Sequence, residues 1–592
     1  MAGKGKIITF RSVEEVPLVP VSLADTLYNK TGGWRYLRPV YEDKRAPCAF
    51  NCPSGEDIPV YLGLISQGRF LEAWEVIRFE NPFPAVTGRV CPHPCETECN
   101  RNHYGGALSI HRLERFVADV VETEGKIPVP SFKPEGPRIA VIGSGPAGLS
   151  CAYHLARKGY RVTVFEALPE PGGLMRYGIP DYRLPKDVLM REIALIEALG
   201  VEIRTGMKLG GNLSWGDLRD YAAVFLAVGF SRNRPLEIPG ENAKGVIPAL
   251  EFLKTLNLEG PGALRELSGK KVAVIGGGNS AMDAARSALR LGAEVTIYYR
   301  RTREEMPAIP AEIEEAEEEG IRMEFLTAPI EVITMNGRAK GARFIRMRLG
   351  EPDASGRPRP IPVPGSEFTV DLDYIIPAVG QEADWGFLDG IEELKVERGR
   401  IKAELSTLAA HRIFAGGDIV TGFGTVTHAI GSGKRAALAI DRFLRGETLT
   451  DFPPFERNVY AVVRPISEVI VRFEDLNLAY YRWEEPLPPK HIPLERRRSS
   501  FEEVNVGLSV EEAVKEAGRC FVCGTCVMCD NCLIFCPDRA ISRKGNEFGY
   551  EIDYDYCKGC GVCVSECPRD ALSLKEEILF IGQRREGVRA GG

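Results

Sequence analysis

Pro137-Arg-Ile-Ala-Val-Ile-Gly-Ser-Gly-Pro-Ala-Gly-Leu149 runs from a short apolar stretch into three spaced glycines and on into a helical pattern. It predicts a strand, a tight turn and a helix. Gly143 permits the turn, Gly145 lets the backbone approach a pyrophosphate, and Gly148 lets the helix pack on the strand. With Pro146 and Ala147 the loop opens a helix whose free N–H groups and dipole face the phosphates. The next apolar run, Arg161-Val-Thr-Val-Phe165, ends at Glu166, an acid spaced to reach ribose hydroxyls. A chance glycine pattern does not bring the strand, the helix and the acid with it.

The pattern recurs at Lys271-Val-Ala-Val-Ile-Gly-Gly-Gly-Asn-Ser-Ala281, where Gly276, Gly278 and Ala281 take the three positions and Asn279 and Ser280 open the helix. Here the following strand, Glu294-Val-Thr-Ile-Tyr-Tyr299, ends at Arg300-Arg301. A cationic pair in place of an acid suits a 2′-phosphate, which favours NADPH and leaves NADH open. The alternative is two merely solvated arginines. Two such folds in one chain suggest FAD at the first and NAD(P)H at the second.

Outward from these motifs, the 592 residues suggest roughly three to five domains. The chain is 44% hydrophobic and 27% charged, as expected of a protein with a real core. A net charge of −7 argues against nucleic acid as a partner. Apolar runs such as Ile139 to Ile142 are strand-length, so no membrane span is expected. Met1 to Arg11 shows no signal-peptide core, so the expectation is a soluble, cytoplasmic protein. Five of the 16 cysteines lie between Cys48 and Cys99 and ten between Cys520 and Cys567, with Cys151 alone. In a reducing compartment such groups read as metal sites, not disulfides.

The expected class is α/β. Residues 1–130 form a helical domain that holds the first cysteine group; Phe70 to Phe79 has helical apolar spacing that Asn81-Pro82 ends. A linker with Pro128, Pro130, Pro134 and Pro137 follows. Residues 137–250 and 375–450 form the FAD-binding domain, with an NAD(P)H-binding domain at 251–374 nested inside it. A connector at 451–510 leads to a small α+β ferredoxin-like domain at 511–575.

Arg412-Ile-Phe-Ala-Gly-Gly-Asp-Ile-Val420 is a strand ending in Gly-Asp. With the two nucleotide motifs it resembles the glutathione-reductase-like flavoproteins. That resemblance implies that Gly417 and Asp418 contact FAD and that Thr425 and Val426 sit at a helix N-terminus near the flavin. No Cys-x-x-Cys follows the first motif, so electrons are not expected to leave through a disulfide, and Cys151 reads as a buried hydrophobe.

Ala46-Pro-Cys-Ala-Phe-Asn-Cys-Pro53 and Thr87-Gly-Arg-Val-Cys-Pro-His-Pro-Cys-Glu-Thr-Glu-Cys99 narrow the likeness. They resemble the small subunit of glutamate synthase, the flavin module of dihydropyrimidine dehydrogenase and the large subunit of NADH-dependent ferredoxin:NADP oxidoreductase. Pro171-Gly-Gly-Leu-Met-Arg-Tyr-Gly-Ile-Pro180 is similar too, which puts Gly173, Leu174 and Gly178 on FAD, as is Tyr298-Tyr-Arg-Arg-Thr-Arg-Glu-Glu-Met-Pro307. The resemblance implies that Cys52, Cys91, Cys95 and Glu114 ligate one [4Fe–4S] cluster. It also implies a second cluster on Cys48 and Cys99, but the Cys-x-x-Cys expected upstream is missing, since Tyr36 to Arg45 has no cysteine.

Cys526, Cys529, Cys532 and Cys536-Pro, then Cys557, Cys560, Cys563 and Cys567-Pro, form a duplicated run of the bacterial two-cluster ferredoxin type. The fourth cysteine of each run serves the other cluster, giving Cys526, Cys529, Cys532 and Cys567 in one and Cys557, Cys560, Cys563 and Cys536 in the other. Zinc is the structural alternative. Cys520 and Cys523 resemble the missing Cys-x-x-Cys, displaced to the other end of the chain. One hypothesis is that they complete a cluster with Cys48 and Cys99, making four clusters; the alternative is four spare thiols. The expected function is NAD(P)H oxidation or reduction coupled to a partner oxidoreductase subunit or ferredoxin in a hetero-oligomer. An electron-donating glutamate synthase subunit, a bifurcating transhydrogenase subunit and a relay without turnover of its own stay open.

Overall fold

Parallel pairing builds both central sheets, because their strands are apolar on both faces and need helices on each side. Ile139 to Ile142 and Val272 to Ile275 are all buried. The computed structural model describes residues 11–16, 30–125, 127, 134–353, 356–388, 391–404, 408–422, 424–449, 466–545 and 547–580. The six-stranded sheet runs Leu408–Ala410, Ile413–Ala415, Ala223–Leu226, Arg138–Ile142, Arg161–Phe165, Glu202–Arg204. Only the first pair is antiparallel. The four-stranded sheet runs Arg322–Glu324, Glu294–Tyr298, Lys271–Ile275, Tyr374–Pro377, all parallel. An antiparallel sheet is inserted between its last two strands in sequence, from Thr327–Met335 to Phe368–Asp371. The architecture is the expected mixed α/β class.

The chain divides into two compact units: residues 48–458 with 484–520, and residues 1–47 with 459–483 and 521–592. These differ from the sequence-based domains. The segment before Cys48 joins the ferredoxin-type unit, where Leu37–Tyr41 pairs antiparallel with Leu572–Glu576 and Asp43–Arg45 pairs parallel with Ile466–Ile470. The connector expected at 451–510 is split between the units. Residues 484–510 join the larger unit, and so do residues 511–520, which were expected in the ferredoxin-like domain: Val510–Gly518 lies against Ile58–Ser66 and Ile110–Glu124 of the helical region. Ser509 caps that helix reciprocally with Glu512. The cut expected at 374/375 falls inside Tyr374–Pro377, which belongs to the second nucleotide sheet.

Within the larger unit, Glu192 on Lys186–Glu197 accepts from the N–H groups of Ala85 and Val86 at 2.8 and 3.2 Å, capping the helix Pro84–Val90. Burial, then the charge of Glu122, pushes its pKa up to about 8. Between the usual carboxylate pKa and 8 the folded state keeps a proton that the unfolded chain has lost. Stability therefore falls as pH rises through that window, by up to about 1.4 kcal/mol per pH unit. Glu192→Gln is expected to flatten this slope in thermal midpoints taken from pH 5 to 8; an unchanged slope would assign it elsewhere. Among the described residues no helix is long and apolar enough to cross a membrane.

Candidate functional site

The first glycine loop is built by close backbone approach. Gly143 has φ of 104°, and a Cβ there would lie 2.4 Å from the carbonyl oxygen of Ala227. A Cβ on Gly148 would lie 1.9 Å from the Gly143 carbonyl. Beside Gly145 there is open space to 4 Å at the N-terminus of Pro146–Arg157. This is the cradle a pyrophosphate needs. Gly173, at φ of 54°, packs on Gly145, and Gly417, at φ of 70°, packs on Ala147. Leu174 and Gly178 open and close the short helix after Gly173. Thr425 caps Val426–Leu444 by accepting from the His428 N–H. Gly145, Ala147, Gly173 and Gly417 thus lie together at the first glycine loop. Burial pushes the Asp418 carboxyl up to about 6. Glu166 is turned inward: it accepts from the N–H and hydroxyl of Ser144 and, at 2.8 Å, from the Leu168 N–H. It therefore braces the glycine loop, with carboxylate lone pairs left over for a ribose.

At the second loop, Gly276 abuts the Ala378 carbonyl and Gly277 abuts the Tyr299 ring. Asn279 accepts from the Ile309 N–H at 2.9 Å at the start of Asn279–Arg290, where Ser280 follows. The arginine pair divides. Arg301 is 2% exposed, pairs with Asp353 at 2.6 Å and donates to the Pro358 carbonyl at 2.8 Å. Arg300 is exposed.

Cys52, Cys91, Cys95 and Glu114 line one small cavity in the helical region. All four are at most 8% exposed. Burial raises the Cys52 thiol to about 12 and also lifts Cys91 and Cys95. Three thiols and a carboxyl converging in a dry pocket fit a multivalent metal group, whose positive charge would reverse those shifts. Tyr61 Oη and His93 Nε2, buried atoms of residues that line the cavity, have no hydrogen-bond partner among the described residues. Glu114 Oε1 accepts from Asn81 Nδ2 at 3.1 Å and from the Thr87 hydroxyl. The Asn81 amide also donates to Glu56 at 2.9 Å. His93 stacks on His111 at 3.7 Å, and His111 pairs with Glu96 at 2.8 Å. The sequence reading missed Asn81, Thr87 and this histidine pair; only His93, lying between two cysteines, carried a signal.

Cys48 and Cys99 are also buried in this unit. Cys520 follows Arg519, whose carbonyl accepts from Arg101 Nε at 2.6 Å, two residues beyond Cys99. Cys523 belongs to the other unit.

That unit has two more small cavities. One is lined by Cys526, Cys529, Cys532 and Cys567, with Tyr41 and Tyr550. The other is lined by Cys536, Cys557, Cys560 and Cys563, with Pro39. Each run thus lends its fourth cysteine to the other cavity. The donor sets, four sulfurs around each small void, fit iron–sulfur ligation.

A family model for pyridine nucleotide-disulphide oxidoreductases matches residues 137–433. One described as dihydropyrimidine dehydrogenase domain II, 4Fe-4S cluster, matches residues 40–126, and a 4Fe-4S binding domain matches residues 550–573. The chain is 42% identical over 506 residues to the NADP(+)-dependent formate dehydrogenase subunit beta of Moorella thermoacetica, covering 81% of this chain and 70% of that one. It is 38% identical over 521 residues to the NADPH-Fe(3+) oxidoreductase subunit beta of Geobacter sulfurreducens, covering 81% and 75%. It is 38% identical over 418 residues to the glutamate synthase [NADPH] small chain of Escherichia coli, covering 67% and 88%.

Proposed function

The chain belongs to the pyridine nucleotide-disulphide oxidoreductase family and is an NAD(P)H flavin oxidoreductase with iron–sulfur domains; from that premise we propose that it passes electrons between NADPH and a partner oxidoreductase subunit or ferredoxin. In this reading the crevice of Gly143, Gly145, Gly173 and Gly417 holds FAD, and the loop of Gly276, Gly278 and Asn279 holds NADPH. Bound FAD would exchange the two electrons of a nicotinamide for single ones, which four [4Fe–4S] clusters would carry. The chain's residues bind, orient and keep water out; none is required as a general acid or base. Cys52, Cys91, Cys95 and Glu114 hold the cluster of the helical region, and the two runs hold two more. The reduced thiols suit a cytoplasmic setting.

The observation that carries this reading is the joint presence of two phosphate cradles and three sulfur-lined cavities. Relatives matched over 81% of this chain carry names of formate dehydrogenase and NADPH–Fe(3+) oxidoreductase subunits, against 67% for the glutamate synthase small chain. That favours a partner of the former kind. The isolated chain is expected to oxidise NADPH with an artificial dye; a chain with bound FAD and full iron that shows no turnover would make it a relay.

Because Arg301 is engaged with Asp353, the 2′-phosphate falls to Arg300. A charge-assisted hydrogen bond is worth about 1.5–3 kcal/mol. Arg300→Ala is therefore expected to raise KM for NADPH about tenfold or more and leave that for NADH unchanged. Equal effects on both would refute the assignment. The fourth cluster is assigned to Cys48, Cys99, Cys520 and Cys523. A Cys520→Ala, Cys523→Ala variant is expected to keep about twelve of about sixteen iron atoms; retention of all would sink that assignment.

A further inference from the structure

The duplicated cysteine runs carry their own internal control. At matched positions the backbone donors are the same: Ala540 N–H reaches Cys536 Sγ at 3.3 Å, and Ala571 N–H reaches Cys567 Sγ at 3.3 Å. The symmetry breaks at the third cysteine of each run. Cys532 Sγ accepts from the Tyr41 hydroxyl at 3.1 Å. Among the described residues no side-chain donor reaches Cys563 Sγ. The segment Leu37–Tyr41 presents an aromatic donor to one cavity and Pro39, which has no side-chain donor, to the other.

Tyr41 is held from three sides. It stands opposite Leu572 in the antiparallel ladder, and Glu42 N–H donates to the Ala571 carbonyl at 3.2 Å. Its ring stacks on Tyr550 at 5.7 Å and 18°. Tyr550 is anchored in turn by its own hydroxyl on Asp530, at 2.7 Å. Three residues on, Lys44 pairs with Asp570 at 2.6 Å, with both side chains largely buried. The phenol therefore has little freedom to turn away from the sulfur.

A hydrogen bond donated to a cluster sulfur favours the more negative, reduced state, and so raises the reduction potential. We propose that Tyr41 tunes the cluster of Cys526, Cys529, Cys532 and Cys567 to a higher potential than its twin, so that an electron entering this unit rests there. The inference rests on the reading of this unit as a two-cluster carrier. It gives the two clusters an order that their nearly identical ligand runs do not.

The test is a potentiometric titration of the full chain followed by electron paramagnetic resonance. Tyr41→Phe, with iron content unchanged, is expected to lower one cluster's potential. Its reduced-to-oxidised ratio at a fixed potential should fall about tenfold, or about 59 mV for one electron. Should Tyr41→Phe fail to assemble, 3,5-difluorotyrosine at position 41, a stronger donor, should move the same cluster upward. Two intact clusters whose potentials do not move would overturn the tuning role alone. A wild-type chain without two ferredoxin-type signals would overturn the reading beneath it.

Discussion

Arg519→Ala is expected to destabilise the larger unit by about 3–5 kcal/mol, because it strands a buried carboxylate. Arg519 and Glu516 are 1% and 0% exposed and pair at 2.6 Å. Glu516 accepts in addition from the Ser109 N–H at 3.1 Å. The guanidinium also donates to the Gly106 carbonyl at 2.7 Å and the Glu484 carbonyl at 3.0 Å. It thus ties the helix Val510–Gly518 to the loop between Cys99 and Glu114. Arg519→Lys should recover only part of the loss, since one ammonium cannot reproduce the planar fork. The thermal midpoint and the protease sensitivity of this segment measure the effect. A midpoint within a degree or two of wild type would show that the pair contributes little.

Gly148→Ala should give the second large effect, loss of bound flavin. The added methyl would stand 1.9 Å from the Gly143 carbonyl and 3.2 Å from Val141 Cγ1. Neither neighbour is a flexible side-chain end, so the helix Pro146–Arg157 must lift from the strand Arg138–Ile142. Overpacking of this kind costs about 1–3 kcal/mol, and more where backbone must move. It also moves the helix N-terminus that would face the pyrophosphate. The variant is expected to purify without the flavin absorbance band while keeping the iron of its cysteine-lined sites. A yellow protein of wild-type flavin content would refute the role given to this crevice.

Gly148 and Arg519 are not equally visible in the sequence. Gly148 stood out because a glycine at that spacing after a strand has a mechanical reason. Arg519 did not, because nothing in Glu516-Ala-Gly-Arg-Cys520 says that the arginine will be buried. The same contrast separates Arg300 from Arg301. As neighbours at a strand end they read alike, but one is claimed by Asp353, over fifty residues away in sequence, at the turn between the long strand Arg338–Pro352 and Pro358–Pro362. Glu166 shows a milder version, recognised as an acid at a strand end but turned to brace the loop beside it.

What the sequence determined by itself is whatever depends on local spacing: the two strand–glycine–helix turns, the helix Phe70–Glu80, and the cysteine runs. In each the physical demand falls on residues a few positions apart. The tertiary structure alone decided which distant residues complete each site. Leu37–Tyr41, expected within the helical domain of residues 1–130, becomes a strand of the ferredoxin-type unit only by pairing with Leu572–Glu576. That pairing sets Tyr41 on Cys532. Asn81 and Thr87 likewise become partners of Glu114 only through helix packing. A long-range contact is fixed by the burial and hydrogen bonding of both partners together, and neither partner carries that information in its own neighbours.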